Sequence, residues 1–276
     1  DTVEKPPFIM HRNKDPKVIH VNFLPAKVDE VYFPNIEVVG DITHSICTIA
    51  KKIEPQKHWQ LDIFHKIKKC IEQNVMDRCD DPRFPILPQR LVSDIRKVMP
   101  EDGILTLDNG MYKIWFARNY KAYEPKSVLL DNALATMGAG LPSAMTVAMV
   151  HPDRKIVAVC GDGGFMMNAQ ALETAVRLKV NLVVLILCDR AYGMIKWKQE
   201  SMGFQDYGMD FSDPDYVMFA KAHHANGYLI ESIEDFIPTL EKALNEDGVS
   251  LIQVPIDYSE TVADLGERLQ NEVCKL

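Results

Sequence analysis

Residues 156–195, IVAVCGDGGFMMNAQALETAVRLKVNLVVLILCDRAYGMI, carry the pattern that decides the fold. Ile156 to Cys160 is a short apolar run rich in β-branched residues. It stops at Gly161-Asp162-Gly163-Gly164, the signature of a buried parallel strand ending in a tight turn. Beyond the turn, Ala169, Leu172, Ala175, Val176 and Leu178 recur at near-helical spacing and predict a helix over 168–179. A second apolar run, Leu182 to Leu187, follows and stops at Cys188-Asp189. Strand, helix and strand make one right-handed crossover, so Asp162 and Asp189 fall at the carboxyl ends of two parallel strands and face one crevice.

Two hard oxygen ligands that converge in this way suit Mg²⁺, which holds few protein carboxylates and completes its shell with water and substrate phosphates. Gly163 and Gly164 let backbone N–H groups approach an anion at a helix start. The pattern therefore implies a phosphate-bearing cofactor. Taken alone, Gly-Asp-Gly-Gly also reads as a plain reverse turn and Asp189 as a strand-end cap. The pairing of the two aspartates across one crossover is what favours the metal.

The resemblance carried by these residues is to the thiamine-diphosphate enzymes of the pyruvate decarboxylase and acetolactate synthase superfamily. Gly161-Asp162-Gly163, then Cys188-Asp189 and Ala191-Tyr192-Gly193-Met194, resemble that superfamily's cofactor signature. Cys188 stands where the signature has asparagine, while Asp189 keeps the metal-binding position. The resemblance implies thiamine diphosphate and Mg²⁺ as cofactors, with Asp162, Asp189 and the Ala191 backbone carbonyl as metal ligands. It also implies phosphate contacts at Gly161, Gly163, Gly164, Tyr192, Gly193 and Met194. Thr136-Met137-Gly138-Ala139-Gly140-Leu141-Pro142 resembles the segment that grips the aminopyrimidine ring, which adds Ala135 and Met137 to the cofactor-binding residues. By itself that segment is also what a glycine-containing loop feeding a core helix looks like, with methionine as filler. Asp108-Asn109-Gly110 resembles a further strand end of the family. Met111-Tyr112 replaces its Gln-His, so no side-chain contact to the diphosphate is assigned there.

The chain has 276 residues, 47% hydrophobic and 25% charged, enough for more than one domain. A net charge of −8 with dispersed basic residues argues against nucleic acid or an anionic membrane as partner. No apolar run approaches the roughly 18 residues of a membrane span, and no basic-then-apolar leader is seen. The six cysteines, Cys47, Cys70, Cys79, Cys160, Cys188 and Cys274, show no C-x-x-C spacing and read as reduced thiols of a cytoplasmic protein. Regular alternation of strand and helix beyond residue 88 predicts a doubly wound α/β fold with a parallel sheet covered on both faces.

Residues 1–75 resemble the end of the central domain of acetolactate synthases, 76–88 read as a charged, proline-rich linker, and 89–276 as the diphosphate- and Mg²⁺-binding domain. The opening at Asp1 reads as cut from something longer. Asp1 to Phe8 resembles flavin-free catabolic synthases, so FAD is not expected. The resemblance assigns no catalytic residue to this chain, because the glutamate that activates the cofactor lies on an N-terminal domain absent from it. It implies a homo-dimer or tetramer, the missing N-terminal half as partner, and pyruvate as substrate, two molecules giving acetolactate and CO₂. Gln253-Val254-Pro255-Ile256-Asp257-Tyr258 supports the synthase reading. Another 2-oxo-acid decarboxylase or carboligase, or a non-catalytic cofactor-binding fragment, remain alternatives. Lys198 stands where relatives carry tryptophan or glutamine, which leaves the acceptor open. His223-His224 reads as a helix-end pair rather than a metal site, and Trp115 and Trp197 as packing residues.

Overall fold

A computed structural model describes residues 17–27 and 34–261. The opening segment Asp1–Pro16, and Cys274, lie outside the described residues. The chain divides into two compact units, Asp1–Asp62 and Ile63–Leu276. In the first, strands β1 (Ile19–Asn22) and β2 (Ile36–Val39) pair in parallel, followed by helix α1 (Ile42–Ala50). Asp41 caps α1 by accepting the His44 N–H at 2.6 Å. Ile42, Ile46 and Ile49 share one face of α1, as their spacing predicts, yet no residue of α1 is buried.

After α2 (Asp62–Val75), the second unit runs α3 (Pro88–Val98), β3 (Ile104–Leu107), α4 (Met111–Asn119), β4 (Val128–Leu130), α5 (Gly140–Val150) and β5 (Ile156–Gly161). It continues α6 (Asp162–Met167), α7 (Ala171–Arg177), β6 (Leu182–Cys188), α8 (Gly193–Ser201), α9 (Tyr216–Ala222), β7 (Asn226–Leu229), α10 (Ile233–Asn245) and β8 (Val249–Pro255). Six strands form one parallel sheet in the order β4-β3-β5-β6-β8-β7. Successive side chains point to opposite faces of each strand. Leu105, Val157, Leu185 and Ile252 therefore pack with α3, α4 and α10, while Ala158, Val184, Ile186 and Leu251 pack with α5, α7 and α9. Both faces are covered, and the central strands β5 and β6 are near-continuous apolar runs as such burial requires.

The order of the strands places the crevice. From β3 the chain steps outward to β4, then returns past β3 to β5 and goes on to β6. The winding reverses between β3 and β5, and there the carboxyl ends of the strands part. Asp108 and Asp162 stand on its two sides, with Asp189 after β6 next along.

Three elements differ from the sequence reading. The helix expected over 168–179 is the shorter α7, and a further helix, α6, precedes it: α6 starts at Asp162 itself and the chain turns at Asn168, whose amide donates to Gly138 O at 2.7 Å. Strand β4 is only three residues long, and α8 (GMIKWKQES) lacks apolar periodicity, so neither left a pattern to read. Ser232 precedes α10, and its hydroxyl donates to Asp235 Oδ2 at 2.7 Å and caps no backbone N–H. Within residues 76–88, Ile86 is fully buried and its N–H donates to Pro255 O at 3.1 Å, beside an Arg83–Glu260 ion pair of 2.5 Å.

Leu185, fully buried at the centre of the sheet, sets the scale of the core. Leu185→Ala is expected to lower the unfolding free energy by about 2–5 kcal/mol in urea melts, and Leu229→Ala on the edge strand by about 1 kcal/mol or less. Equal losses at the two positions would contradict this placement of the core.

Candidate cofactor and metal site

The crevice is a cleft open to solvent. Ten residues named from the sequence line it: Met137, Gly161, Asp162, Gly163, Gly164, Asp189, Ala191, Tyr192, Gly193 and Met194. Ala135 does not. It lies exposed at φ 51° in the loop after β4, where Asp131 accepts the N–H groups of Ala133 at 3.1 Å and Thr136 at 3.3 Å. Asn109, Met111, Tyr112 and Tyr258, given no role from the sequence, line the cleft as well.

Asp162 is 2% exposed, and its two oxygens are held from two strand ends. Oδ1 accepts the Gly163 N–H and Oδ2 the Arg190 N–H, each at 2.8 Å. Burial raises its pKa, with the neighbouring Asp213 adding to the rise against those two backbone bonds. Burial also pushes Asp189 up to about 7, and the nearby Asp162 carboxylate contributes next. Two like charges in a desolvated cleft without a basic side chain among its walls are a poor arrangement by themselves. A divalent cation between them removes both penalties, and hard carboxylate oxygens suit Mg²⁺. Among the described residues no group of three or more His, Cys, Asp and Glu forms a metal cluster, so a cation here would take its remaining ligands from backbone, water or a bound phosphate.

The backbone ligand expected at Ala191 is aimed by a segment distant in sequence. Ala191 bridges antiparallel to Asp210, with Tyr192 N–H donating to Met209 O at 2.9 Å and Phe211 N–H donating to Arg190 O at 3.0 Å. This is the pairing in which the central residue turns its own N–H and C=O away from the partner strand. Ala191 thus faces the Asp189 side, where its N–H helps offset the rise in that carboxyl's pKa. Lys196 fastens the 206–210 segment through Asp206 at 2.6 Å and Asp210 at 3.0 Å, and Arg190 pairs with Asp213 at 3.2 Å. Because the Tyr192 N–H is engaged by Met209, the amides at the start of α8 belong to Gly193 and Met194, and no side chain caps that helix. An alanine methyl at Gly193 would stand 2.6 Å from Asp189 Oδ2, so only glycine lets the helix start this close to the carboxylate.

Asp108 organises the other wall, a role the sequence reading missed. It is fully buried and accepts N–H bonds from Asn109 at 2.8 Å, Gly138 at 2.9 Å and Ala139 at 3.3 Å. It thereby ties the end of β3 to the loop that carries Met137. A methyl on Gly164 would come within 2.6 Å of Asp108 Oδ2, so this glycine serves helix-to-strand packing. Burial raises the Asp108 pKa against these backbone bonds. The only sequence signal was an aspartate at a strand end followed by Asn-Gly.

Comparison with known proteins agrees with this geometry. Residues 108–254 match the family model described as thiamine pyrophosphate enzyme, C-terminal TPP binding domain. That match covers more than half of the chain. The chain belongs to the thiamine pyrophosphate enzyme family.

The chain is 31% identical to an acetolactate synthase of Bacillus subtilis (strain 168), over 100% of this chain and 49% of that protein. It is 33% identical to a catabolic acetolactate synthase of Raoultella terrigena, over 91% of this chain and 45% of that protein. A probable acetolactate synthase large subunit of Methanococcus aeolicus is 29% identical over 92% of this chain and 46% of its own length. The chain spans about half the length of the curated relatives it matches. Both ends of the family match fall on the crevice sheet, from Asp108 after β3 to Val254 in β8.

Other residues that tempt a functional reading have structural places in this member of the thiamine pyrophosphate enzyme family. His223 caps the end of α9 and its Nδ1 lies 3.0 Å from Phe219 O. Trp115 is buried in the core, its Nε1 donating to Thr261 Oγ1 at 3.4 Å. Cys188 ends β6 with its thiol against the Ile186 carbonyl at 3.5 Å, a buried packing residue where the signature has asparagine. Among the described residues no helix is long and apolar enough to cross a membrane.

The raised Asp189 gives a pH dependence with a definite sign. Its folded pKa of about 7 lies above the 3.8 of an ordinary aspartate, so the folded state keeps a proton that the unfolded chain releases. That contribution to stability is complete below the unfolded pKa and is lost as pH rises through about 7. Without divalent cation, the melting temperature is expected to fall between pH 5.5 and 8. Mg²⁺ should restore it at pH 8, and Asp189→Asn should flatten the slope. A metal-free protein whose stability rises over that interval by way of Asp189 would contradict the paired-carboxylate geometry.

Proposed function

We propose that this chain is the C-terminal part of a thiamine-diphosphate- and Mg²⁺-dependent acetolactate-synthase-like enzyme, one that joins two pyruvates to 2-acetolactate with release of CO₂. The observation that carries the reading is the pair of carboxylates, Asp162 and Asp189, desolvated at the ends of β5 and β6 with Ala191 turned toward them. In it, Asp162, Asp189 and the Ala191 carbonyl hold Mg²⁺. The Gly193 and Met194 amides at the uncapped start of α8 receive diphosphate oxygens, and Met137 supports the ring system from the loop tied to Asp108. Bound in this way, thiamine diphosphate supplies the carbanion chemistry by which a 2-oxo acid loses CO₂ and adds to a second carbonyl. The residues of this chain fix where the cofactor points.

The similarity to acetolactate synthases of Bacillus subtilis and Raoultella terrigena supports the synthase reading. In the proposed arrangement residues 1–75 are the end of a central domain, 76–88 a linker and 89–276 the cofactor-binding domain. An N-terminal half brings the activating glutamate, and the active form is a homo-oligomer without flavin. The unburied α1, with Ile42, Ile46 and Ile49 exposed, supports a first unit that belongs to a larger domain. Lys198, exposed on α8 one turn beyond Met194, favours keeping a second reading, a carboligase of the same superfamily acting on another 2-oxo acid.

Titration calorimetry of thiamine diphosphate with Mg²⁺ tests the site. Binding is expected to need Mg²⁺ and to weaken by at least about a hundredfold in both Asp162→Ala and Asp189→Ala, the cost of leaving one buried carboxylate unpaired. Assay of acetolactate from pyruvate, with the N-terminal half supplied, tests the reaction. Binding unaffected by either substitution would sink the metal assignment.

A further inference from the structure

The cleft holds an anion-binding problem that its backbone and carboxylates do not solve alone. Among the described residues no lysine, arginine or histidine lines it, and its polar side chains there are Asp162, Asp189, Asn109, Tyr112, Tyr192 and Tyr258. The aspartates accept hydrogen bonds only. Asn109 is engaged, its amide donating to Thr136 O at 2.7 Å and its Oδ1 accepting from Lys113 Nζ at 2.6 Å. The Tyr192 ring packs on Phe211 at 5.0 Å between centroids.

Tyr112 and Tyr258 are different. Each hydroxyl is buried and has no acceptor for its proton, while the backbone N–H groups of Gly161 and Tyr112 approach the Tyr112 and Tyr258 oxygens respectively. Tyr112 is 2% exposed in the first turn of α4, just after β3, and Tyr258 follows β8, so the two reach the cleft from separate elements. The surroundings of Tyr258 include Asp162 and Asp189, and those of Tyr112 include Cys160 and Asp108. Both rings pack against the apolar core on the α4 side of the sheet, where phenylalanine would serve as well. A buried hydroxyl whose proton has no acceptor is unfavourable, so these two O–H donors are what packing does not account for. Tyr216 Oη is also unpartnered but does not line the cleft, and the inference rests on the coincidence of both properties at Tyr112 and Tyr258.

We propose that Tyr112 and Tyr258 donate hydrogen bonds to oxygens of the diphosphate group bound in the cleft, at the Asp162–Asp189 end. The inference rests on the diphosphate reading given above. It supplies neutral donors where basic side chains are missing, and it assigns the contact at the position where Met111-Tyr112 replaces the family's Gln-His.

The test uses Tyr112→Phe and Tyr258→Phe in the full chain, with calorimetric titration of Mg²⁺–thiamine diphosphate and of Mg²⁺ with inorganic diphosphate, beside thermal melts of the ligand-free proteins. Each substitution is expected to weaken both ligands about tenfold or more, since each removes a hydrogen bond to a charged group. The ligand-free melting temperature should hold or rise by about 2–4 °C, because an unsatisfied buried hydroxyl has gone. Affinities within twofold of wild type overturn the inference, as does a fall in ligand-free melting temperature, which marks the hydroxyl as a structural bond. The diphosphate reading fails separately: if the wild type shows no Mg²⁺-dependent binding that Asp162→Ala abolishes, that reading falls and this inference with it.

Discussion

Two carboxylates drawn out of water at the ends of neighbouring parallel strands are the constraint around which this fold is arranged. Burial raises the pKa of both Asp162 and Asp189, and the Asp162 carboxylate raises that of Asp189 further. A purely structural turn would place neutral or solvated groups there. Their retention makes physical sense when a cation and a polyanion complete the site, and the surrounding backbone is consistent with that. The Gly163 and Arg190 N–H groups fix the orientation of Asp162 without neutralising it.

The remaining architecture holds that pair in register. Reversal of winding between β3 and β5 opens the crevice, and β6 brings Asp189 alongside. Asp108 binds one wall through the loop amides of Gly138 and Ala139, while Lys196 and Arg190 bind the other through Asp206, Asp210 and Asp213. Glycines at 164 and 193 are required because carboxylate oxygens approach their Cα atoms too closely for a side chain. Rigid strands thus supply the two carboxylates, and long-range side-chain bonds position the loops that complete the cleft.

Much of this was legible in the sequence for a plain reason. Buried parallel strands announce themselves as unbroken apolar runs, and Gly-Asp-Gly-Gly and Cys188-Asp189 mark where two of them stop. What escaped had no periodic signature. Helix α8 begins with glycine and alternates charge with apolar residues, β4 spans three residues, and the pairing of Ala191 with Asp210 joins segments that no local pattern connects. Asp108 looked like one more strand-end aspartate, since its bonds run to amides some thirty positions away. Tyr112 looked like a lost contact because it replaces a residue type the family uses, whereas the structure leaves its hydroxyl proton without an acceptor beside the cleft.

The most direct measurement is a crystal structure of the chain grown with Mn²⁺ and thiamine diphosphate, using the anomalous signal of manganese to locate the ion. The expected peak lies between Asp162 and Asp189, within about 2.0–2.3 Å of a carboxylate oxygen from each and of the Ala191 carbonyl oxygen. Diphosphate density should lie on its open side, against the start of α8. An ion bound elsewhere, or diphosphate away from these two aspartates, would contradict the site on which the functional reading stands.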